Sequence, residues 1–391
     1  MTQASGPVRP AVPGKKILVI AGLADSLVHF RWNLLESLVN QGNTVATAAA
    51  KDDPHNGMTG QDVVSRLRLL GIDHHPIPIQ RTGNNPLDDL RTLWALIRIC
   101  RLEKPDIVFA YSAKPIIYGM LAAWLCRVPR RVAMLTGLAF GLADSGQRWT
   151  FVQGLARRLF GTTFRLCDAL IFHNPDDLAT LRQGGLLPDA LPVHVVNGSG
   201  VDIDHYQPVP LPEGPVTFLM IARLIREKGV AEFLAAARLA RKRHPEAQFL
   251  LVGPLDPRAG ELQEPELRAW EQEGTGQWLG SMTDVRIPLG RTHVFVLPSY
   301  HEGTPRTVLE AMAMGRAVIT TDTAGCRQTV RVGENGYLVP VRDPEALALA
   351  MVKVLDDPQS IPAMGAASRR IAVEHYDARR VSQATAQAIL K

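Results

Sequence analysis

Short, predominantly apolar runs alternate with amphipathic stretches from Lys15 onward. In the first half the runs are 16–21 (KILVIA), 44–49, 106–111 (DIVFAY), 131–135 (RVAML) and 169–172 (ALIF). They resume at 216–222 (VTFLMIA), 248–252 (QFLLV), 294–297 (VFVL), 317–320 (AVIT) and 337–339. Runs apolar at every position predict strands covered on both faces, and periodic segments such as 31–40 predict the covering helices. Steady strand–helix alternation predicts parallel sheets with right-handed crossovers. Residues 206–215 (YQPVPLPEGP) interrupt the pattern with a cluster of prolines, as a domain boundary would. The expected organisation is a flexible tail at 1–14, a first domain at 15–207 and a second at 208–372. A C-terminal helix at 373–391 is expected to pack back on the first domain. The fold class is α/β, with two doubly wound Rossmann-like domains. In open sheets of this kind ligands bind at the carboxyl ends of the strands. Functional side chains therefore belong in the strand-to-helix loops, and the cleft between the domains is the expected site.

Composition agrees with two packed domains: 391 residues, 46% hydrophobic and 21% charged, which excludes a disordered chain. A net charge of +5 is small for this length, so local clusters matter more than the total. No nucleic-acid-binding module motif is present, and nucleic acid is not an expected partner. The four cysteines form no CxxC pair and no metal-ligand spacing, as expected of buried free thiols in a reducing compartment. The N-terminal MTQASGPVRPAVPG lacks an apolar signal core, and no run reaches the roughly 18 apolar residues of a membrane span. A cytoplasmic protein is expected, able to lie against a membrane.

Two loops of the second half carry the chemistry. Residues 300–315 read YHEGTPRTVLEAMAMG and follow an apolar run. Thr304 is the expected N-cap of a helix and Pro305 its first residue. Glu302 stands before that helix start and Glu310 more than a turn inside it. Helix starts attract anions through unpaired N–H groups and the helix dipole. The other loop, RLIREKG, follows 216–222 and sets Arg223 and Lys228 on a strand-to-helix turn that ends at Gly229. Taken alone, each loop reads as a solvated charged turn. Together they open on one sheet edge and supply cations, N–H groups and carboxylates. The first two suit a diphosphate, and the carboxylates suit vicinal hydroxyls. A nucleotide-diphosphate sugar has both.

RLIREKG, LLVGP at 250–254, LPSYHEGTPRTVLEAMAMGRAVITTDTAGCRQTV, GENGYLVP and DPEALA resemble, in order and spacing, the donor domain of family 4 retaining glycosyltransferases of the GT-B fold. In the first half, SLVHFRWNLLESLVNQGNTV, AYSAKPIIYGMLAAWL, LTGLAF, IFHNPDD and NGSGVD resemble a narrower group. That group comprises bacterial transferases of capsule, O-antigen and lipid-linked glycans, including PglA-type N-acetylgalactosaminyltransferases.

The resemblance implies a metal-independent hexosyltransferase that moves a sugar from a UDP-sugar to a polyprenyl-diphosphate-linked glycan. An N-acetylhexosamine is the first expectation for that sugar. Arg223 and Lys228 would neutralise the donor diphosphate, Glu302 would face the transferred sugar, and Glu310 would hold the ribose hydroxyls. Gly303 and Thr304 would offer backbone N–H groups. Attack from the face of the departing phosphate is implied, since no activated nucleophile declares itself. Residues 279–285 (LGSMTDV) would border the base. The chain departs from the family at LTGLAF, where Thr136 and Gly137 stand in place of a sugar-contacting histidine. His173 reads as a structural hydrogen-bonding residue. His29, Arg31 and Lys114 lie in strand-to-helix loops and could hold an acceptor pyrophosphate or complete the donor site, or serve as surface ion pairs.

The only DxD, Asp202–x–Asp204, adjoins the proline-rich stretch and is expected to be structural, with no metal required. Residues 146–165 combine Arg148, Arg157, Arg158 and Arg165 with Trp149, Phe151, Leu155, Leu159, Phe160 and Phe164. Basic and aromatic residues at helical spacing suit an interfacial helix on the inner membrane, or an ordinary packed helix with a basic face. The competing functions are a UDP-sugar epimerase of the same architecture and a non-catalytic nucleotide-sugar-binding protein.

Overall fold

The computed structural model describes residues 14–50, 59–80, 85–138, 151–256 and 262–391, with side chains omitted at 151–153. Two sheets organise the chain, each entirely parallel. The first contains β1 (Lys16–Ile20), β2 (Thr44–Ala50), β3 (Asp73–Ile77), β4 (Ile107–Tyr111), β5 (Arg130–Leu135), β6 (Ala169–Phe172) and β7 (Val193–Val195), in spatial order 3-2-1-4-5-6-7. The second contains β8 (Thr217–Ile221), β9 (Gln248–Val252), β10 (Gln277–Trp278), β11 (Val294–Leu297), β12 (Ala317–Thr321) and β13 (Gly336–Val339), in order 10-9-8-11-12-13. Both orders reverse once, between β1 and β4 and between β8 and β11. Loops on either side of such a reversal diverge and leave a crevice at the carboxyl edge.

Helices α1 (Asp25–His29), α2 (Trp32–Asn40), α3 (Gly60–Leu69), α4 (Pro86–Glu103), α5 (Ala113–Leu125), α6 (Phe151–Phe164) and α7 (Pro175–Gln183) serve the first sheet. Helices α8 (Val230–Arg243), α9 (Glu264–Gln272), α10 (Arg286–Gly290), α11 (Arg306–Ala313), α12 (Pro344–Asp356), α13 (Ile361–His375) and α14 (Ala378–Leu390) follow. The central strands are buried at almost every position, so their apolar runs do not alternate. Phe218 and Phe249 stack across β8 and β9 with centroids 5.2 Å apart, and Phe233 and Trp270 pack against them. Each such buried aromatic side chain contributes about 1.5–3 kcal/mol.

The chain divides into two compact units. One is Met1–His173, Asp177–Val196 and Ser382–Lys391; the other is Asn174–Asp176 and Asn197–Val381. Neither is continuous in sequence. The last turns of α14 belong to the first unit, where Arg130 donates to the carbonyls of Ile389 at 2.7 Å and Ala388 at 3.1 Å. The proline-rich stretch 206–215 lies within the second unit. The expected tail falls almost wholly on residues outside the described set, as do Arg148, Trp149 and the side chain of Phe151 in the expected interfacial helix.

Candidate active site

The site in the second unit is built from the loops after β8 and β11, the two strands that flank the reversal. The first loop runs through a short 3-10 turn, Arg226–Lys228, and closes at Gly229. Gly229 adopts φ 73°, and a Cβ there would collide with the carbonyl of Pro298 at the end of β11. Glycine thus lets the two loops touch. Tyr300 N–H and Ser299 Oγ both donate to the carbonyl of Glu227, at 2.8 and 3.0 Å. The result is a 2.5 Å ion pair between Lys228 Nζ and Glu302 Oε1, with side chains 22% and 14% exposed. Arg223 is exposed in the same loop.

The loop carrying Glu302 is held from three sides. Glu302 N–H donates to Ala324 O at 3.2 Å, and Thr323 Oγ1 donates to Tyr300 O at 3.0 Å. Asn174, buried, donates from Nδ2 to Gly303 O at 2.8 Å. Thr321 Oγ1 donates to Ser299 O. Gly325 has φ 77°, and a Cβ there would strike the carbonyl of Glu302. Cys326 lies fully buried beneath this loop, its thiol pushed up to about 12 by burial first and by the Glu302 charge second.

Helix α11 begins one residue later than its sequence suggests. The N-cap is Pro305, whose carbonyl accepts from Val308 and Leu309, and Thr304 Oγ1 donates to Gly303 O at 2.8 Å. Thr304 packs tightly on Gly198, where no Cβ would fit. Asn174 and Thr304 both grip the Gly303 carbonyl. In a trans peptide the Thr304 N–H then points to the opposite side.

Glu310 is buried inside α11. Its Oε1 accepts from Arg306 Nε at 2.8 Å, one turn earlier, and from Tyr206 OH at 3.0 Å. Burial raises its carboxyl above the usual range, against the pull of Arg306 and of the Tyr206 hydroxyl. Burial, with the Glu310 charge behind it, also raises the Tyr206 phenol. Sequence reasoning missed both Tyr206 and Asn174. It missed Arg306 as well, for which the i, i+4 spacing to Glu310 was an available signal; Tyr206 lies 104 residues away in sequence and carries none.

The second group of candidates lies in the first unit, beyond β1, β4 and β5, but only Arg31 and Thr136 fall outside helices: His29 is the last residue of α1 and Lys114 the second of α5, not the loop residues expected. Arg31 is buried with its guanidinium 4.8 Å from the centroid of Tyr111, the last residue of β4. Arg31 Nη2 reaches 3.4 Å from His173 Nε2. Burial, then the Arg31 charge, lowers the His173 imidazole well below its usual value, so His173 accepts as a neutral ring. His29 ends α1, and Lys114 pairs with Asp89 at 2.9 Å. Thr136 follows β5, half-buried, before Gly137 at φ 135°. Ser112, between β4 and α5, adopts φ 72° and ψ 155°, a region essentially reserved for glycine.

The DxD carboxylates are already engaged. Asp202 Oδ1 accepts from the N–H groups of Asp204 and His205 at 3.0 and 2.9 Å, and Asp204 pairs with Arg379 at 3.0 Å. Among the described residues no group of three His, Cys, Asp or Glu is arranged to hold a metal. All four cysteines are free: Cys100, Cys167 and Cys326 buried, Cys126 half-buried.

A family model described as "Glycosyl transferase 4-like domain" matches residues 29–198, and one described as "Glycosyl transferases group 1" matches residues 215–357. The chain belongs to this family of retaining GT-B glycosyltransferases. It is 26% identical, over 85% of its length and 87% of the other's, to an N,N'-diacetylbacillosaminyl-diphospho-undecaprenol alpha-1,3-N-acetylgalactosaminyltransferase of Campylobacter jejuni. It is 28% identical, over 69% of its length and 72% of the other's, to a UDP-Gal:alpha-D-GlcNAc-diphosphoundecaprenol alpha-1,3-galactosyltransferase of Escherichia coli. Sucrose-phosphate synthase of Thermosynechococcus elongatus shares the fold with TM-score 0.76 at 19% identity, covering 95% of this chain and 98% of that one. HepE of Anabaena, solved with UDP, also gives TM-score 0.76, at 18% identity and covering 96% and 99%. Transferase relatives set aside the epimerase reading.

Proposed function

We propose that this enzyme transfers a sugar, with retention, from a UDP-sugar to a polyprenyl-diphosphate-linked glycan during assembly of a bacterial surface polysaccharide or glycoprotein glycan. The observation that carries the proposal is the Lys228–Glu302 pair beside the start of α11. A lysine has three protons to donate. One serves Glu302, and the others remain for the oxygens of a diphosphate. Arg223 adds a second cation from the same loop. Glu302 then accepts from the hydroxyls of the transferred sugar, Gly303 and Thr304 offer N–H groups, and Glu310 receives the ribose hydroxyls.

Charge on the departing UDP is stabilised by groups already in place, which is where such groups are most effective. Attack from the side of the departing phosphate needs no enzymic nucleophile, and a phosphate oxygen takes the acceptor proton. On the first unit, Arg31 and Lys114, with His29, bind acceptor pyrophosphate or complete the donor site, and Thr136 borders the sugar. The undecaprenol-diphosphate acceptors named for the two relatives support a lipid-linked acceptor, and the first of them supports an N-acetylhexosamine as the sugar. Work at the cytoplasmic face of the inner membrane, as a peripheral protein, follows from that acceptor. Among the described residues no helix is long and apolar enough to cross a membrane.

The test is a panel of UDP-sugars offered with a polyprenyl-diphosphate-sugar acceptor, with the product anomer read by NMR. Transfer of one sugar with an α linkage from an α-linked donor is expected. UDP release that ignores the acceptor, or an inverted product, would overturn the reading.

A further inference from the structure

We propose that the outer face of α4, together with the end of α5, rests on an anionic bilayer. The proposal deepens the lipid-linked reading and rests on it for the presence of a membrane. Helix α4 buries Thr92, Leu96, Ile99 and Cys100 toward the sheet. Its other face carries Leu87, Leu90 and Trp94, of which Trp94 is 72% exposed. These positions recur at intervals of three and four, so they form one stripe. Arg91, Arg98 and Arg101 continue that stripe and are exposed. Cys126 Sγ lies 3.7 Å from Ile97 O, which sets the end of α5 beside the middle of α4. Trp124, Leu125 and Arg127 are exposed there.

Charge selects the occupant. The acids of α4 are internally committed: Asp88 to Arg91, Asp89 to Lys114, and Glu103 to Lys16 and His75. Arg98, Arg101 and Arg127 form no ion pair among the described residues, so the outward charge is positive. Two half-exposed or exposed indoles amid leucine and arginine match a headgroup boundary, with apolar bodies in the acyl layer and cations on anionic lipid. Helix α6, the expected interfacial helix, is a poorer fit. It exposes Leu155, Arg158 and Leu159, with Arg165 exposed just past its end, but no indole stands among its described side chains. Phe160 and Phe164 are buried with centroids 5.7 Å apart, and Arg157 donates to Gly184 O at 3.0 Å.

The experiment is sedimentation of the full chain with vesicles of phosphatidylglycerol and phosphatidylcholine, compared with phosphatidylcholine alone. Three double variants are compared: Leu90→Glu/Trp94→Glu, Arg98→Glu/Arg101→Glu and, on α6, Leu155→Glu/Arg158→Glu. Both α4 variants should lose partitioning onto anionic vesicles by roughly tenfold or more, with little change for the α6 variant. Melting temperatures and transfer to a short-chain, water-soluble acceptor should stay at wild-type values. The apolar and charge variants are independent, so a folding defect in one leaves the other decisive. Wild-type partitioning by both α4 variants, or no preference of the wild type for anionic vesicles, would overturn the proposal. Vesicle binding with no transfer to any polyprenyl-diphosphate acceptor would sink the acceptor reading and leave the membrane face standing.

Discussion

Lys228 Nζ stands 2.5 Å from Glu302 Oε1, so a cation from the loop after β8 is tied to a carboxylate from the loop after β11. Each side chain holds the other in position. Glu302→Gln and Lys228→Ala should each lower transfer by roughly 100-fold or more. Because the pair acts as a unit, the double variant should fall far short of the product of the two losses. UDP release with donor and acceptor present measures this. Near-normal turnover in either single variant would remove the pair from the mechanism.

Glu310 should leave a signature in stability. Its folded-state carboxyl is raised by burial. Above the ordinary carboxyl value the unfolded chain gives up its proton first, so the folded state loses relative stability as pH rises through this range. Glu310→Gln removes that titration. Its melting temperature should exceed that of the wild type at pH 8, with the gap shrinking as pH falls toward about 4.5. A constant gap across that range would contradict the assignment. The same variant should raise the KM for donor by about 10- to 100-fold, the size of a lost hydrogen bond to a charged group.

Asn174 fixes the Gly303 carbonyl. Asn174→Ala leaves that oxygen without its amide donor, at a cost of about 1–3 kcal/mol. Stability should fall by that amount, and kcat should fall with it because the Thr304 N–H is no longer oriented. Chemical denaturation and steady-state kinetics on one preparation give both values. A stability loss with unchanged kcat would make Asn174 structural only.

Ser112 stores strain at the reversal of the first sheet. Ser112→Gly should relieve about 1–3 kcal/mol, less the entropy glycine adds to the unfolded chain. A higher melting temperature is expected for Ser112→Gly and none for Ser112→Ala. If the two substitutions behave alike, the backbone is not strained there.

Activity should persist in EDTA. The DxD carboxylates are spent on a turn and on Arg379, and the proposed donor site draws its positive charge from Lys228 and Arg223. Asp202→Ala should cost about 1 kcal/mol of stability and leave kcat within about twofold, well under 1 kcal/mol in barrier. Loss of activity in EDTA with recovery on Mn²⁺ would reverse this view.

The central strands were legible because burial on both faces leaves a plain run of apolar residues. The strands that escaped lie at sheet edges. β3 reads DHHPI, with four of its five residues half-buried or exposed before Ile77, one of them a proline that an edge tolerates, while β7 and β10 are shorter still. Lys228, Glu302 and Glu310 could be read from local patterns because each belongs to a loop or helix start. Tyr206 and Asn174 could not, because only the fold brings them to Glu310 and Gly303. The packing of Thr304 on Gly198 is a tertiary contact that no local cap pattern encodes.

The discontinuity of the two units limits their modularity. A fragment cut at the prolines would carry Glu302 and Gly303 without Asn174. The complementary fragment would carry Arg130 without the terminal carbonyls of Ala388 and Ile389. Chimaeras that exchange donor specificity between relatives must therefore move three segments together: the main block, the short insert at 174–176 and the matching chain end. Recombination at a single crossover would instead seat each unit against a keystone segment drawn from the other parent, so a mismatch at 174–176 or at 388–389 is the expected weak point of such hybrids.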